Sequence, residues 1–461
     1  MYFLKKAKTE AKRFPVNKKS HDITKADDPR ISNKHDHDIV CERDLVIQVI
    51  EKEEQFNQLE DQWNKLVSSS EMQTSIFQSY DWQRVWWHHF GEENKLKIVT
   101  IWFNGLLVAL APLYENRIKL FNGNWYRKLE FIGNRVPDSK GLFYDYSPTD
   151  YLDFIIDKSF KSKVVSKLTD WLIGKLLEYD EVLLDELPAD GVFYENLLPE
   201  LEKKDVNIKQ IRKEICYQID LKGIDTIDDY LSSLSRKQRY ELRYSKKAVL
   251  KKKLFEIEKA RNEEQVIDFF NELVSMHQER WNKLGYPGIF YDSRVYNFLR
   301  DITLACHKRG SLRFKRAVEK ENNSLALDLA FSFNDVIYDY QKALDSDHKL
   351  AKYGPGNALL YFLIEDGINT GYSKIDLMRG GERYKRRVSN SSSYNWEVSL
   401  KSATKCNKKG QKIYELQNQL DQILRKGKRE LSLLNIQIMQ NGWIKSIPSY
   451  YSFLKKRLQN S

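Results

Sequence analysis

Residues 313–387 decide the fold, and they read RFKRAVEK ENNSLALDLA FSFNDVIYDY QKALDSDHKL AKYGPGNALL YFLIEDGINT GYSKIDLMRG GERYKRR. Segments 313–318, 325–333 and 336–344 are separated by turn residues, which predicts a three-stranded meander. A loop with a glycine turn follows, then apolar residues at helical spacing, then a strand at 375–378. The predicted order is therefore meander, helix and strand.

The glycine turn stands where the predicted helix begins. Backbone N–H groups at a helix start lack intrahelical partners and can hold a phosphate or pyrophosphate. The alternative is that the glycines only make a tight turn from strand to helix. We predict a phosphate cradle formed by six consecutive residues, Lys352, Tyr353, Gly354, Pro355, Gly356 and Asn357.

Motifs in the same order along about three quarters of the chain carry a family resemblance. They are Phe77-x-x-Tyr80-Asp81-Trp82-x-x-x-Trp86-Trp87, residues 107–113, His277-x-x-Arg280-Trp281, Tyr338-x-Tyr340, Gly354-Pro355-Gly356 and Arg379-Gly380-x-Glu382-x-Tyr384-Lys385. Together they resemble the CelD/BcsL-type acetyltransferases of cellulose and exopolysaccharide synthesis, which have a GNAT acyltransferase core. The chain resembles the Fem-type transferases more remotely.

The resemblance implies an α/β (α+β) fold with tandem GNAT-like domains, mixed sheets flanked by helices and a C-terminal helical tail. A hairpin with its turn at Asn104-Gly105, a helix at 160–179 and a strand at 181–187 weakly repeat the order of the second half, which agrees with two related units. The first unit has no Gly-x-Gly turn before its helix, so we expect the second to bind the donor. That donor is acetyl-CoA or another acyl-CoA, and no metal is expected. Ala351 stands where the GNAT signature has Gln or Arg, which would fit a non-catalytic scaffold.

Catalytic roles follow from the last motif. Glu382 is the first candidate for the general base, followed by Asp376 and Asp328. By resemblance, Tyr384 protonates the departing thiolate, and Lys385 stabilises the oxyanion or holds an acceptor phosphate. The alternative is that residues 379–387 are a solvated basic turn.

Substrate-binding candidates come from three parts of the chain. Arg236, Arg239 and Arg243 recur at helical spacing and project as one basic stripe, for which a solvated helix face is the alternative. Arg280 and Trp281 precede a glycine-rich loop and suit an acceptor. Two further candidates lie in the matched motifs, Tyr340 and Arg379. We interpret the nearby His277 as structural.

Composition and charge along the chain predict four segments. Of the 461 residues, 1–45 predict a polar mobile tail, 46–205 an N-terminal GNAT-like domain, 206–400 the catalytic domain and 401–461 a basic amphipathic helical tail. That last segment has 13 Lys and Arg against 3 acids, a difference of +10, whereas residues 46–400 carry about −2. The body is therefore not a broad nucleic-acid surface, which makes tRNA a less expected partner.

Three functions remain open. The first is an acyltransferase that modifies a sugar, a nucleotide-sugar or a lipid-linked saccharide of an envelope polymer. The second is a Fem-type transfer from aminoacyl-tRNA, and the third is a scaffold of a polysaccharide-synthesis complex. No apolar window is long enough to span a bilayer, so we expect a cytoplasmic protein. Its basic tail could bind an anionic membrane, an acidic partner or the protein's own body.

Overall fold

The structure is a computed structural model that describes residues 45–70, 74–137, 145–284, 286–319, 323–404 and 408–441. The strands are β1 Val46–Ile50, β2 Lys95–Leu96, β3 Ile98–Phe103, β4 Leu106–Ala111, β5 Leu113–Lys119, β6 Trp125–Phe131, β7 Ile155–Ile156, β8 Glu181–Pro188, β9 Val206–Asp220, β10 Glu256–Lys259, β11 Leu312–Val318, β12 Ser324–Phe333, β13 Val336–Leu344, β14 Lys374–Arg379 and β15 Ser391–Ser402. The α-helices are α1 Glu53–Asn57, α2 Glu60–Ser69, α3 Tyr80–Phe90, α4 Lys161–Glu178, α5 Leu198–Leu201, α6 Ile227–Ser233, α7 Arg236–Leu250, α8 Glu263–Lys283, α9 Ser293–Lys308, α10 Pro355–Asn369, α11 Arg383–Val388 and α12 Lys408–Asn441.

Two sheets organise these elements. A four-stranded sheet has the order β1-β3-β4-β7, and an eleven-stranded sheet has the order β10-β11-β12-β13-β14-β9-β15-β8-β6-β5-β2. Strand β15 pairs with β9 on one side and β8 on the other, so strands from both predicted halves share one sheet. The pairs β13–β14 and β6–β8 are parallel and the others antiparallel. The predicted mixed sheets flanked by helices are confirmed.

The predicted hairpins form where their turn residues lie. Asn104 and Gly105 both have positive φ, 52° and 78°, as the turn between β3 and β4 requires. Asn334, with φ of 52°, makes the corresponding turn between β12 and β13. The meander β11–β12–β13 is antiparallel throughout, as its alternating residues predict.

Several boundaries differ from those that local sequence patterns predict. Residues 217–221 predict a strand, but β9 begins eleven residues earlier because it pairs along almost all of β15. Residues 55–66 predict one helix, but the structure has two, α1 and α2. The predicted start of the catalytic domain, Val206, is the first residue of β9, and this division remains a prediction. The polar tail predicted at 1–45 lies outside the described residues except for Leu45, as do residues 442–461.

The large sheet separates two cores near the site. On one face, Ile337 of β13 and Ile375 of β14 pack with α10. Side chains alternate along a strand, so the next residues point to the opposite face. There Tyr338 packs against Phe77 of the N-terminal half. Trp82, Trp86 and Phe90 are spaced four residues apart, which predicts one buried face of α3, and all three are buried in the same core.

Candidate active site

Strands β13 and β14 are hydrogen-bonded over a short length and then separate. They pair only through Val336 with Lys374, Ile337 with Ile375, and Tyr338 with Asp376. Beyond that point β13 continues along β12 while β14 continues along β9. A bulge shifts the β12–β13 register, so that Ala330 faces Asp339 and Leu329 faces Gln341. Parallel strands that separate in this way leave a gap in the sheet.

The predicted phosphate cradle lies at the start of α10. Gly354 has φ of 68° and ψ of 57°, a left-handed conformation that glycine adopts readily. A Cβ on Gly354 would lie 2.6 Å from Ser245 Oγ, whereas one on Gly356 would meet only Leu344 Cδ1 at 4.0 Å. Pro355 occupies the first helical turn, so Gly356 and Asn357 supply its backbone N–H groups. The space beside Gly356 is therefore open.

Three tyrosines stack beside the cradle, and we call Tyr240, Tyr244 and Tyr353 the tyrosine ladder. Ring centroids are 5.9 Å apart between Tyr240 and Tyr244 and 6.0 Å apart between Tyr244 and Tyr353. Lys252 Nζ lies 5.3 Å and 5.4 Å from the last two rings, and Lys352 Nζ lies 5.4 Å from Tyr353. Tyr240 is 64% exposed, so an aromatic surface with nearby positive charge faces solvent.

The predicted basic stripe lies on α7, the helix that also contains Tyr240 and Tyr244 of the tyrosine ladder. Arg236 is exposed, Arg239 donates to the carbonyl of Leu234, and Arg243 pairs with Asp228 at 2.8 Å. One turn further on, Lys246 Nζ donates to the Tyr361 hydroxyl of α10 at 2.5 Å. The structure therefore places the stripe on the helix that packs against the cradle's helix.

The three predicted catalytic residues lie at or near α11. Lys385 is buried, and its Nζ donates to the carbonyl of Arg379 at 2.6 Å and lies 3.1 Å from Glu382 Oε2. Glu382 has a side chain that is 55% exposed. Tyr384 is half-buried against the α10 core, and burial raises the pKa of its hydroxyl. Tyr384 therefore stays protonated at neutral pH.

Three buried charged residues, Asp328, Asp339 and Lys342, lie beside Tyr384. Of these, the sequence suggested a role only for Asp328. Lys342 Nζ is 2.9 Å from Asp328 Oδ1 and 2.8 Å from Asp339 Oδ1. Although burial disfavours its charge, the two carboxylates raise the pKa of Lys342. Burial, together with the neighbouring Asp328, raises the pKa of Asp339. One ammonium is therefore shared by two buried carboxylates.

On the opposite face, Asp376 lines a polar cleft of about 310 Å³. Its Oδ2 accepts from the Tyr151 hydroxyl at 2.8 Å and from Gln218 Nε2 at 3.1 Å, and its Oδ1 accepts from the Met378 backbone at 2.8 Å. Burial raises the pKa of Asp376 to about 6. The polar groups that line the cleft include Thr74, Ser75, Gln78, Asp190, Glu195, Lys374 and Ser393.

The guanidinium of Arg379 is paired with carboxylates and backbone carbonyls of the protein itself. Its guanidinium contacts Asp150 at 2.9 Å, pairs with Glu186, and donates to the carbonyls of Ser147 and Thr149 at 2.6 and 3.3 Å. Although burial disfavours its charge, the carboxylates of Asp150 and Glu186 raise its pKa. These contacts hold the segment before Tyr151 against the end of β14.

The remaining predicted residues lie at two separate places. The Tyr340 hydroxyl donates to the carbonyl of Pro148 at 2.8 Å and lies 3.2 Å from the Tyr146 hydroxyl. Arg280 and Trp281 are exposed at the end of α8, and no described contact joins them to the gap. Burial lowers the pKa of His277 to about 4, which agrees with a structural role.

Sequence reasoning missed Asp339, Lys342, Tyr151 and Gln218 as site residues. Asp339 and Lys342 carried a usable signal, because charged residues within an otherwise buried strand need a local partner. Tyr151 and Gln218 carried none, because only the folded chain brings them to Asp376. Among the described residues, no group of three or more His, Cys, Asp or Glu side chains is arranged to hold a metal ion. Nor does any described helix have the length and apolar character of a membrane span.

The chain is similar in sequence to one protein family and in fold to several solved structures. Residues 236–386 match the family described as "Acetyltransferase (GNAT) domain". The crystal structure of FemX superposes with a TM-score of 0.53 at 13% identity, covering 74% of this chain and 95% of that one. No curated protein sequence matches the chain.

Two further solved structures are more distant. L-PGS from Bacillus licheniformis has a TM-score of 0.41 at 10% identity over 77% of this chain and 95% of its own. A tandem GNAT protein from the clavulanic acid biosynthesis pathway has a TM-score of 0.39 at 8% identity over 77% and 98%. At this identity the likeness to FemX concerns the fold alone. The chain carries a GNAT acetyltransferase domain at residues 236–386, which confirms the prediction of a GNAT-type acyltransferase.

Proposed function

We propose that the protein moves an acyl group, in the first place acetyl, from acyl-CoA to a saccharide or sugar precursor of an envelope polysaccharide. The transfer is direct, within a complex that holds both substrates. One observation carries this proposal: the gap between β13 and β14 lies between the phosphate cradle on one face and the polar cleft on the other. Donor and acceptor would meet in that gap.

The donor side suits a nucleotide thioester. The first turn of α10 supplies N–H groups and the positive end of the helix dipole for the pyrophosphate. Lys252 and Lys352 add positive charge, and Tyr240 offers an exposed ring on which adenine would stack. The pantetheine arm would then run from the cradle into the gap.

The chemistry is assigned to groups on either side of the gap. Asp376 takes the proton from the acceptor hydroxyl or amine as that atom bonds to the acyl carbon. Tyr384 gives its proton to the thiolate as the carbon–sulfur bond breaks, and the group of Lys342, Asp328 and Asp339 restores it. Asp376 is preferred to Glu382 as the base because it lines the cleft, whereas Glu382 pairs with Lys385.

The cleft supports a polyhydroxylated acceptor. Its lining combines hydroxyl, amide and carboxylate groups with the rings of Tyr151 and Tyr338, which suits the hydroxyl groups and the apolar faces of a sugar ring. The sequence resemblance to the CelD/BcsL-type acetyltransferases points to the same class of acceptor. Arg280 and Trp281 are then outer contacts for a longer saccharide.

A Fem-type transfer from aminoacyl-tRNA is the second candidate. The stripe of Arg236, Arg239 and Arg243 favours it, because these side chains reach solvent on the helix beside the cradle. Binding of acyl-CoA, by contrast, would depend on Lys252 and Lys352 near the tyrosine ladder and not on the stripe. Charge-neutral substitution of the stripe would therefore separate the two, because it weakens tRNA binding much more than acetyl-CoA binding.

Calorimetric titration with acetyl-CoA tests the donor. We expect the wild type to bind and Gly356→Trp not to bind, because the indole would fill the space above the cradle. Gly174→Trp is the matched control, since that glycine lies in α4 with nothing within 4 Å of its added Cβ. Absence of binding to the wild type would overturn the acyl-CoA proposal and favour aminoacyl-tRNA or the scaffold role.

A further inference from the structure

The C-terminal helix α12 docks on the N-terminal half through one face. The ring of Tyr414 stacks on Tyr126 with centroids 4.2 Å apart and planes within 4° of parallel. Gln417 donates to the carbonyl of Lys119 at 3.0 Å and accepts from the Phe121 backbone at 3.1 Å. Arg425 contacts Asp145 at 2.5 Å. These contacts fix the rotation of α12 about its own axis.

A second face of α12 is apolar and turned to solvent. Its members are Leu416, Leu420, Ile423, Leu424 and Leu431, which are 54%, 40%, 66%, 60% and 65% exposed. Spacings of three, four and seven residues place them in one stripe, centred about a third of a turn away from Tyr414. Five large apolar side chains in a row exceed the scattered exposure that soluble surfaces normally show.

Positive charge borders this apolar stripe. Helical spacing places exposed Lys412 and Lys428 on its opposite edges, with Lys426 nearby. Residues 401–461 carry +10 in sequence, against about −2 for residues 46–400. Two copies of so basic a segment repel each other, which disfavours self-association through this face. The combination suits a surface that is negatively charged outside and apolar beneath.

We propose that the apolar stripe of α12 docks on an anionic lipid surface, with its leucine and isoleucine side chains in the boundary between headgroups and acyl chains. Lys412, Lys426 and Lys428 then contact the lipid phosphates. Each such contact adds electrostatic attraction to the anionic surface, and the apolar side chains add the hydrophobic part. Docking through Tyr414 and Gln417 keeps the enzyme body oriented while the stripe faces the lipid.

Co-sedimentation of the full chain with lipid vesicles tests this proposal. We expect binding to vesicles of equal parts phosphatidylglycerol and phosphatidylcholine and weaker binding to phosphatidylcholine alone. Raising the salt concentration should lower the first affinity toward the second. Leu420→Gln/Ile423→Gln should lower the affinity at least tenfold, and Lys412→Gln/Lys428→Gln should remove the preference for anionic lipid. Leu177→Gln is the control, because Leu177 is 58% exposed on α4.

Two results would overturn the proposal. One is equal vesicle binding by the wild type and Leu420→Gln/Ile423→Gln. The other is a wild-type dimer in sedimentation analysis that the same substitutions dissolve, without vesicle binding, which would assign the stripe to a second copy. Acetyl-CoA binding should be the same in all these variants, so failure of the lipid proposal leaves the acyl-transfer proposal standing.

Discussion

Arg379 Nε lies 2.9 Å from Asp150 Oδ1, although 229 residues separate the two in sequence. The same guanidinium pairs with Glu186 on β8. Around it, Met378, Tyr151 and Glu186 have positive φ values of 64°, 60° and 56°, which non-glycine residues rarely adopt. Strained backbone of this kind persists where surrounding contacts fix it. Arg379 is therefore the clamp that joins the end of β14 to the N-terminal half.

Replacing Arg379 should destabilise the fold more than it affects substrate affinity. Arg379→Met leaves the buried Asp150 without its cation and leaves Glu186 with only Lys213, whose Nζ is 3.6 Å away. We expect a loss of about 3–5 kcal/mol in the free energy of unfolding. Urea denaturation measures this change, and Arg280→Met is an exposed control. Unchanged stability with a raised acceptor KM would instead make Arg379 a ligand of the acceptor, as its motif suggests.

Asp376 should govern the acidic limb of the pH profile. Burial raises its pKa to about 6, so the carboxylate is protonated below that pH and cannot accept a proton. We expect kcat/KM to rise with pH up to about 6 and then level off. Asp376→Asn should lower kcat by about 10²–10⁴-fold and abolish this limb.

The control for Asp376 lies in the same cleft. Asp190 is an exposed carboxylate that also lines it, and Asp190→Asn should change kcat by no more than a few-fold. If Asp376→Asn kept both its rate and its pH dependence, the base would have to be sought elsewhere, with Glu382 next.

Tyr384 should act on the leaving group rather than on binding. Tyr384→Phe keeps the ring in the α10 core but removes the hydroxyl, so kcat should fall by about 10–100-fold with the donor KM unchanged. Steady-state kinetics with acetyl-CoA measures both constants. Tyr372→Phe is matched, because Tyr372 packs in the same core and its hydroxyl accepts from Arg313. Equal losses in the two variants would contradict a specific role for Tyr384.

Patterns local in sequence predicted most of the fold, including the elements that form the proposed donor cradle. The meander, the turn at Gly354 and the helix after it depend on neighbouring residues, and each lies where expected. The cleft around Asp376 could not be predicted in the same way. Tyr151 meets Asp376 across 225 residues, and β9 reaches its full length only because β15 pairs with it. Such contacts depend on how distant segments come together, which no local pattern encodes.

Gly354 and Gly356 should respond differently to alanine. Gly354→Ala places a Cβ 2.6 Å from Ser245 Oγ and adds the cost of a left-handed residue, about 1–2 kcal/mol. Gly356→Ala meets ordinary contact at 4.0 Å within a helix and should keep or raise stability. Thermal unfolding compares the two. Ser245→Ala in the Gly354→Ala background should recover only the part due to the clash, and full recovery would contradict the backbone cost.

Tyr240 should contribute to donor affinity only when the donor carries adenine. Its ring is the exposed end of the tyrosine ladder, and loss of one base-stacking contact costs about 1–3 kcal/mol. We therefore expect Tyr240→Ala to weaken acetyl-CoA binding about tenfold while acetyl-4′-phosphopantetheine, which lacks adenosine, binds as before. Tyr240→Phe retains the ring and should match the wild type. If Tyr240→Ala weakened both ligands equally, the ladder would support α7 and the cradle without touching the base.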